Sequence, residues 1–178
     1  MKICVFCSAN ANIDPDFFRM TEELGRWMAQ EGHTLVYGGV NQGLMECVAK
    51  AVHEGGGRTI GVIPRIVEKS GRISDYVEVE LLCDDLTDRK QMMADQSDVF
   101  IALPGGIGTL DEVFTVAAAA TIGYHQKRVI LYNMKGFWDG LVALMSDLQA
   151  RGMVRGQWET YVSVASTLEE IKQMINTP

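Results

Sequence analysis

The sequence predicts one α/β domain over residues 1–178, a doubly wound parallel sheet with helices on both faces. Three observations predict it. Apolar, β-rich runs alternate with helix-length amphipathic stretches from one end of the chain to the other. Most of the runs are near-continuously apolar, as strands buried on both faces are. Such β and α alternation within one chain argues for a parallel sheet. No repeat, low-complexity tract or linker divides the chain, and 178 residues at about 150 per domain make one domain.

The elements follow in order. The first strand, Lys2–Cys7, carries a single charge, at its start. An amphipathic stretch, Asp16–Glu31, follows as a helix, and Thr34–Tyr37 is the second strand. The helix Gly43–Glu54 leads to the third strand, Arg58–Ile63. Pro64–Tyr76 has no clear period and reads as a mobile loop. Val77–Leu82 is the fourth strand and Leu86–Gln96 the next helix. Val99–Leu103 and Val129–Tyr132 are apolar throughout, with the long helix Thr109–Ile122 between them. Trp138–Ala150, the weak strand Val162–Val164 and Leu168–Ile175 complete the chain.

Composition excludes several function classes. The chain is 47% hydrophobic and 22% charged, ordinary for a soluble globule. Net charge is −7 with no Lys/Arg cluster, so nucleic acid is not an expected partner. No apolar run approaches the ~20 residues of a membrane span, so no membrane partner is expected. The apolar start, Met1–Cys7, is too short for a signal peptide and no cleavage-like site follows. Four cysteines in an unexported chain read as reduced thiols and a cytoplasmic setting. Cys4 and Cys7 lie three apart on a strand and face opposite ways, so they cannot chelate together. His33, His53 and His125 have no ligand spacing, and neither a metal nor a cofactor is expected.

In sheets of this kind ligands bind where strand C-termini meet helix N-termini. Three places qualify. Leu103-Pro104-Gly105-Gly106-Ile107-Gly108-Thr109-Leu110-Asp111-Glu112 follows a buried strand and opens a helix. Its glycines let the backbone approach a ligand, and a helix start suits a phosphate. The spacing matches neither the Walker pattern nor the dinucleotide fingerprint. The same residues also read as a structural turn, with Thr109 and Glu112 forming a capping box. The second turn, Tyr37-Gly38-Gly39-Val40-Asn41-Gln42-Gly43-Leu44-Met45-Glu46, repeats the strand–glycine–helix order, and a tight loop would explain it too. In the third place, Arg89, Met92 and Met93 share a helix face, which suits either a nucleotide or the core.

Arg89-Lys90-x-Met92 followed by Pro104-Gly105-Gly106-x-Gly108-Thr109-x-x-Glu112 resembles the LOG family, the cytokinin riboside 5′-monophosphate phosphoribohydrolases long labelled lysine decarboxylases. The likeness extends over most of the chain, including Tyr37-Gly38-Gly39, Gly43-Leu44-Met45 and the Lys127, Asn133 and Gly136 region. It implies a Rossmann-like fold, a homodimer, and hydrolysis of the N-glycosidic bond of AMP or an N6-modified AMP. It assigns catalysis to Arg89 and Glu112. Substrate binding falls on Ser8, Gly38, Gly39, Gly43, Met45, Lys90, Met92, Gly105, Gly106, Gly108 and Thr109. The chain departs from the family in two places. Cys7-Ser8-Ala9-Asn10 stands where members read Cys-Gly-Ser-Ser, and Glu46 stands where they have a glycine.

Cleaving C1′–N9 of a nucleotide builds positive charge on the ribose, as in glycoside hydrolysis. A carboxylate beneath the ring opposes that charge or deprotonates the attacking water. Glu112, read as lying in the first turn of its helix, is expected to be ionised by the dipole. Arg89 stays charged and should anchor. Asp111 points about 100° away and makes a poor second carboxylate. The alternative is a non-catalytic nucleotide or phospho-cofactor carrier on the same loops. The helix Thr109–Ile122 has no charge from Val113 to Ile122 and is expected to be buried on every side. A dimer interface would bury its outer face. Burial beneath the helix Trp138–Ala150 of the same chain is the competing expectation.

Overall fold

The computed structural model describes residues 1–176. The strands are β1 (Lys2–Phe6), β2 (Thr34–Tyr37), β3 (Arg58–Pro64), β4 (Val79–Cys83), β5 (Val99–Ala102), β6 (Val129–Tyr132) and β7 (Val162–Ala165). They form one parallel sheet in the order β4-β3-β2-β1-β5-β6-β7. The helices are α1 (Pro15–Gln30), α2 (Gly43–Glu54), α3 (Arg65–Lys69), α4 (Leu86–Asp95), α5 (Ile107–Thr121), α6 (Asp139–Ala150) and α7 (Leu168–Asn176). Among the described residues no helix is long and apolar enough to cross a membrane.

The pleat sorts each strand between two cores. In β1, Ile3 and Val5 face one core and Cys4 and Phe6 the other. The first core is closed by Leu24 and Met28 of α1, Val48 and Val52 of α2 and Ile171 of α7. The second takes Met93 of α4, Val113 and Val116 of α5, and Trp138, which precedes α6. Helices thus cover both faces, as expected. Cys7, just past β1, joins the first core while Cys4 lies in the second, so the two thiols are separated by the sheet. Burial pushes both thiols well above the ordinary range.

Three expectations are corrected. The fourth strand begins at Val79, not Val77. The residues ahead of it are held by a side chain: the Thr59 hydroxyl donates to the Tyr76 carbonyl and accepts from the Glu78 amide. Pro64–Tyr76 is not a bare loop. It contains α3, and its far end is tied to the second glycine turn by Asn41 N to Arg72 O at 3.0 Å, Ser74 N to Gly39 O at 2.9 Å and a bridge between Val40 and Ile73. Finally, α5 is not buried on every side. Thr109, Glu112, Val113, Val116 and Ala117 face inward, whereas Phe114, Ala118 and Ile122 are exposed. α6 does not cover them and itself buries no residue.

Candidate active site

The sheet reverses its direction of growth between β1 and β5, and the crest above that point is where ligands of doubly wound sheets bind. The loops after β1, β2 and β5 meet there. Ser8 N donates to Pro104 O at 3.1 Å, and Leu44 N donates to Ser8 O at 2.9 Å. Gly43, at φ +61°, lets these loops touch: a Cβ there would fall 2.5 Å from the carbonyl carbon of Ala9. Gly39, at φ +72°, turns the chain over Ile63. The Ser8 hydroxyl accepts from the Asn10 amide and so braces the departed segment.

The Gly105–Thr109 turn starts α5 two residues earlier than the sequence suggests. Gly106 occupies the N-cap and Ile107 is the first helical residue. Thr109 is therefore the third residue of the helix and caps nothing, so the capping-box reading fails. Its Oγ1 packs on Gly105, where a Cβ would fall 2.0 Å away. A Cβ on Gly106 or Gly108 would meet nothing, and neither has positive φ. The fold itself thus demands glycine at 105 but not at 106 or 108, and the open helix start is free to receive an anion.

Arg89 and Glu112, on α4 and α5, are brought together. Arg89 Nη1 lies 3.5 Å from Glu112 Oε1, with the side chains only 12% and 8% exposed. The same guanidinium donates from Nε to Val62 O at 3.1 Å and from Nη2 to Gly38 O at 3.2 Å. One arginine thus spans the ends of β3 and β2 to reach α5. Asp85 caps α4, accepting from the amides of Thr87 and Asp88.

Glu112 sits in the second turn of α5, so the helix start does not decide its charge. Burial does. It pushes the carboxyl up to about 7; Asp111 adds to the rise, against the opposing pull of Arg89 and, less, Lys90. The expectation that the helix dipole favours the ionised form is corrected: burial makes Glu112 a group that exchanges its proton near neutrality.

The remaining candidates divide. Met45 is buried beside Gly38 and the Arg89 guanidinium. Met92 is half-buried against the second core, with Met93 fully inside it. Lys90 turns away from Arg89, and its Nζ donates to both carboxylate oxygens of Asp111 at 2.8 Å. Sequence reasoning missed this pair, since it treated Asp111 only as an acid pointing elsewhere. In the Lys127 to Gly136 region, Lys127 Nζ donates to Ala94 O, and Asn133 bonds Trp138 N and Asp139 as a local brace.

A sequence-family model described as a possible lysine decarboxylase matches residues 45–175. The chain is 36% identical over 170 residues to the probable cytokinin riboside 5′-monophosphate phosphoribohydrolase LOGL1 of Oryza sativa subsp. japonica, which covers 96% of this chain and 76% of that one. It is 33% identical over 174 residues to the cytokinin riboside 5′-monophosphate phosphoribohydrolase LOG7 of Arabidopsis thaliana, covering 98% of this chain and 80% of that one. Among solved structures, the molybdenum cofactor carrier protein MCP from Chlamydomonas reinhardtii superposes with a TM-score of 0.73 at 29% identity, over 98% of this chain and 97% of that one.

Proposed function

The chain belongs to the LOG family, and from that premise we propose that it hydrolyses the N-glycosidic bond of an adenine-type nucleoside 5′-monophosphate. AMP or an N6-modified AMP would yield the free base and ribose 5-phosphate. The observation that carries this reading is the buried contact between Arg89 and Glu112 beside an open, glycine-lined helix start.

The phosphate lies on the amides at the start of α5, with Gly105, Gly106, Gly108, Thr109 and Ser8 around it. The helix dipole and the unpaired N–H groups favour the dianion, and this remote binding energy fixes C1′. Gly38, Gly39, Gly43, Met45 and Met92 form the surface toward ribose and base. As C1′–N9 breaks, its electron pair leaves with the base, which takes up a proton from solvent, and positive charge develops on the ribose. Ionised Glu112 opposes that charge and takes a proton from the attacking water, whose oxygen bonds C1′. With a pKa of about 7 it can release that proton again at neutral pH. Arg89 holds the carboxylate, the Gly38 carbonyl of the second glycine turn and the Val62 carbonyl of β3 in one arrangement.

The carrier reading draws support from the likeness to the molybdenum cofactor carrier. A carrier, however, has no need of a half-ionised carboxyl buried against an arginine. The deciding experiment incubates purified protein with AMP and with N6-isopentenyl-AMP and looks for free base. Release by the wild type and not by Glu112→Gln supports the hydrolase; tight binding with no release supports the carrier. We also read the protein as a homodimer joined through the exposed faces of α5 and α6, and its four unpaired thiols as fitting a cytoplasmic setting.

A further inference from the structure

Arg89 and Glu112 can act together only if α4 and α5 keep a fixed register, yet apolar packing holds α4 weakly. Of its residues only Met93 is buried. One position after Arg89 and one before Glu112, on the outer side, stands a second ion pair: Lys90 Nζ lies 2.8 Å from both oxygens of Asp111. Neighbouring helical residues point about 100° apart, so Arg89 reaches inward to Gly38 while Lys90 crosses to α5 over an outer groove shared with Gln91 and Thr115. Two pairs therefore join the same two helices at consecutive positions, 89 with 112 and 90 with 111.

We propose that Lys90 and Asp111 are positioning residues for this hydrolysis: their ion pair fixes α4 on α5 so that Arg89 meets Glu112, and it sets the charge beside Glu112. The inference rests on the reading of Glu112 as the reacting carboxyl.

The charged and titratable groups around Glu112 are few. Arg89 and Lys90 face it from α4, Asp111 adjoins it on α5, and the thiols of Cys4 and Cys7 approach from β1 and the residue after it. Both thiols are neutral, held so by burial. The balance is therefore set by one cation and one anion besides Arg89. Removing Asp111's charge eases ionisation of Glu112, and removing Lys90's charge hinders it. The pair is part-exposed, Lys90 at 20% and Asp111 at 48%. Such pairs add little to stability, so their loss should move Tm by no more than about 3 °C. A displacement of about 1 Å in a reacting group, in contrast, costs on the order of 10²-fold in rate.

The test compares Asp111→Asn and Lys90→Met with the wild type in two independent readouts. The first is a ¹³C NMR titration of the Glu112 carboxyl, assigned by its disappearance in Glu112→Gln. The midpoint should fall in Asp111→Asn and rise in Lys90→Met, by about half a pH unit or more each. The second is turnover of AMP. In both variants kcat should drop about tenfold or more, with KM changed only a few-fold. Midpoints that stay put or move the same way overturn the charge role. Turnover within twofold of wild type in both variants overturns the positioning role, as does a KM rise at unchanged kcat, which would make Lys90 a substrate ligand alone. A wild type that leaves both nucleotides intact overturns the hydrolase reading and the positioning role with it, while the titration still judges the charge role by itself.

Discussion

A Cβ on Gly38 would fall 2.1 Å from Nη2 of Arg89 and 3.0 Å from Sδ of Met45. Gly38 does not have positive φ, so the contact, not the backbone conformation, keeps this position bare. Gly38→Ala should fold, because the obstructing atoms are the ends of two flexible side chains, but it should drive the guanidinium off the Gly38 carbonyl. We expect kcat for AMP to fall about 10²-fold with a Tm close to wild type. A wild-type rate in this variant would mean that the observed seat of Arg89 is not the one used in turnover.

Glu112→Gln keeps the size of the side chain and removes the charge that opposes the ribose cation. Loss of such a preorganised electrostatic interaction costs about 10²–10³ in rate. Binding of ribose 5-phosphate, measured by calorimetry, should survive, since the helix start of α5 is untouched. A variant within a few-fold of wild-type turnover returns Glu112 to a structural role.

Burial also links Glu112 to stability. Its carboxyl rises from 4.5 to about 7 in the folded protein, so the native state holds the proton more tightly than the unfolded chain does. A raised folded pKa gives stability that is complete below the unfolded value and is lost as pH rises through the folded one. The full effect is on the order of 3 kcal/mol. Urea midpoints of wild type and Glu112→Gln, measured near pH 5 and near pH 8, should therefore shift in favour of the variant at the higher pH. A pH-independent difference would mean that Glu112 titrates outside this window. In the enzyme assay the same group should give a limb near 7, with activity rising toward higher pH.

The sheet was legible because β1, β2, β5 and β6 are buried on both faces and so read as continuous apolar runs. The edge strand β4 was started two residues early because Val77 is apolar, while a threonine side chain holds its neighbours off the ladder. The glycine turns and the identities of Arg89 and Glu112 were legible from the motif. Their contact was not, since it depends on how two helices far apart in sequence cross. The same crossing decides that Asp111 meets Lys90, which periodicity alone could not tell. The charge state of Glu112 was misread because the motif suggested a helix beginning at Thr109. With Gly106 as N-cap, the dipole acts on the turn before Glu112 and desolvation prevails.

If the open start of α5 holds the 5′-phosphate, adenosine lacks the group that positions C1′. Its kcat/KM should lie several orders of magnitude below that of AMP. Gly106→Val, which adds bulk where the fold leaves space, should raise KM for AMP and leave the slow adenosine reaction nearly unchanged. Equal use of adenosine and AMP would assign the glycine turn another purpose.

The exposed strip on α5 supports the dimer. Phe114 and Ile122 are 39% and 67% exposed, Ala118 lies between them, and no charged residue occurs from Val113 to Ile122. Beside the strip runs a groove of about 520 Å³ lined by Met145 of α6 and by Met153, Val154 and Tyr161. α6 buries none of its residues fully although seven of its twelve are apolar; Leu141, Val142 and Met145 lean on the second core and Leu144 is 51% exposed. A monomer would leave Phe114, Ile122, Leu144 and this apolar groove open to water, and exposed apolar patches of this kind mark interaction sites. A second copy of the chain would bring the matching surface, and a two-fold axis across α5 would let each small alanine face meet its equivalent closely. About 800 Å² per protomer would make a stable pair. Sedimentation velocity at micromolar concentration should give a dimer of roughly twice the 19.7 kDa chain mass. Ala118→Arg, which puts a charge at the centre of the strip while leaving the inward face of α5 intact, should yield a folded monomer. A wild-type monomer refutes the assignment, and a dimer that tolerates Ala118→Arg moves the interface off this face.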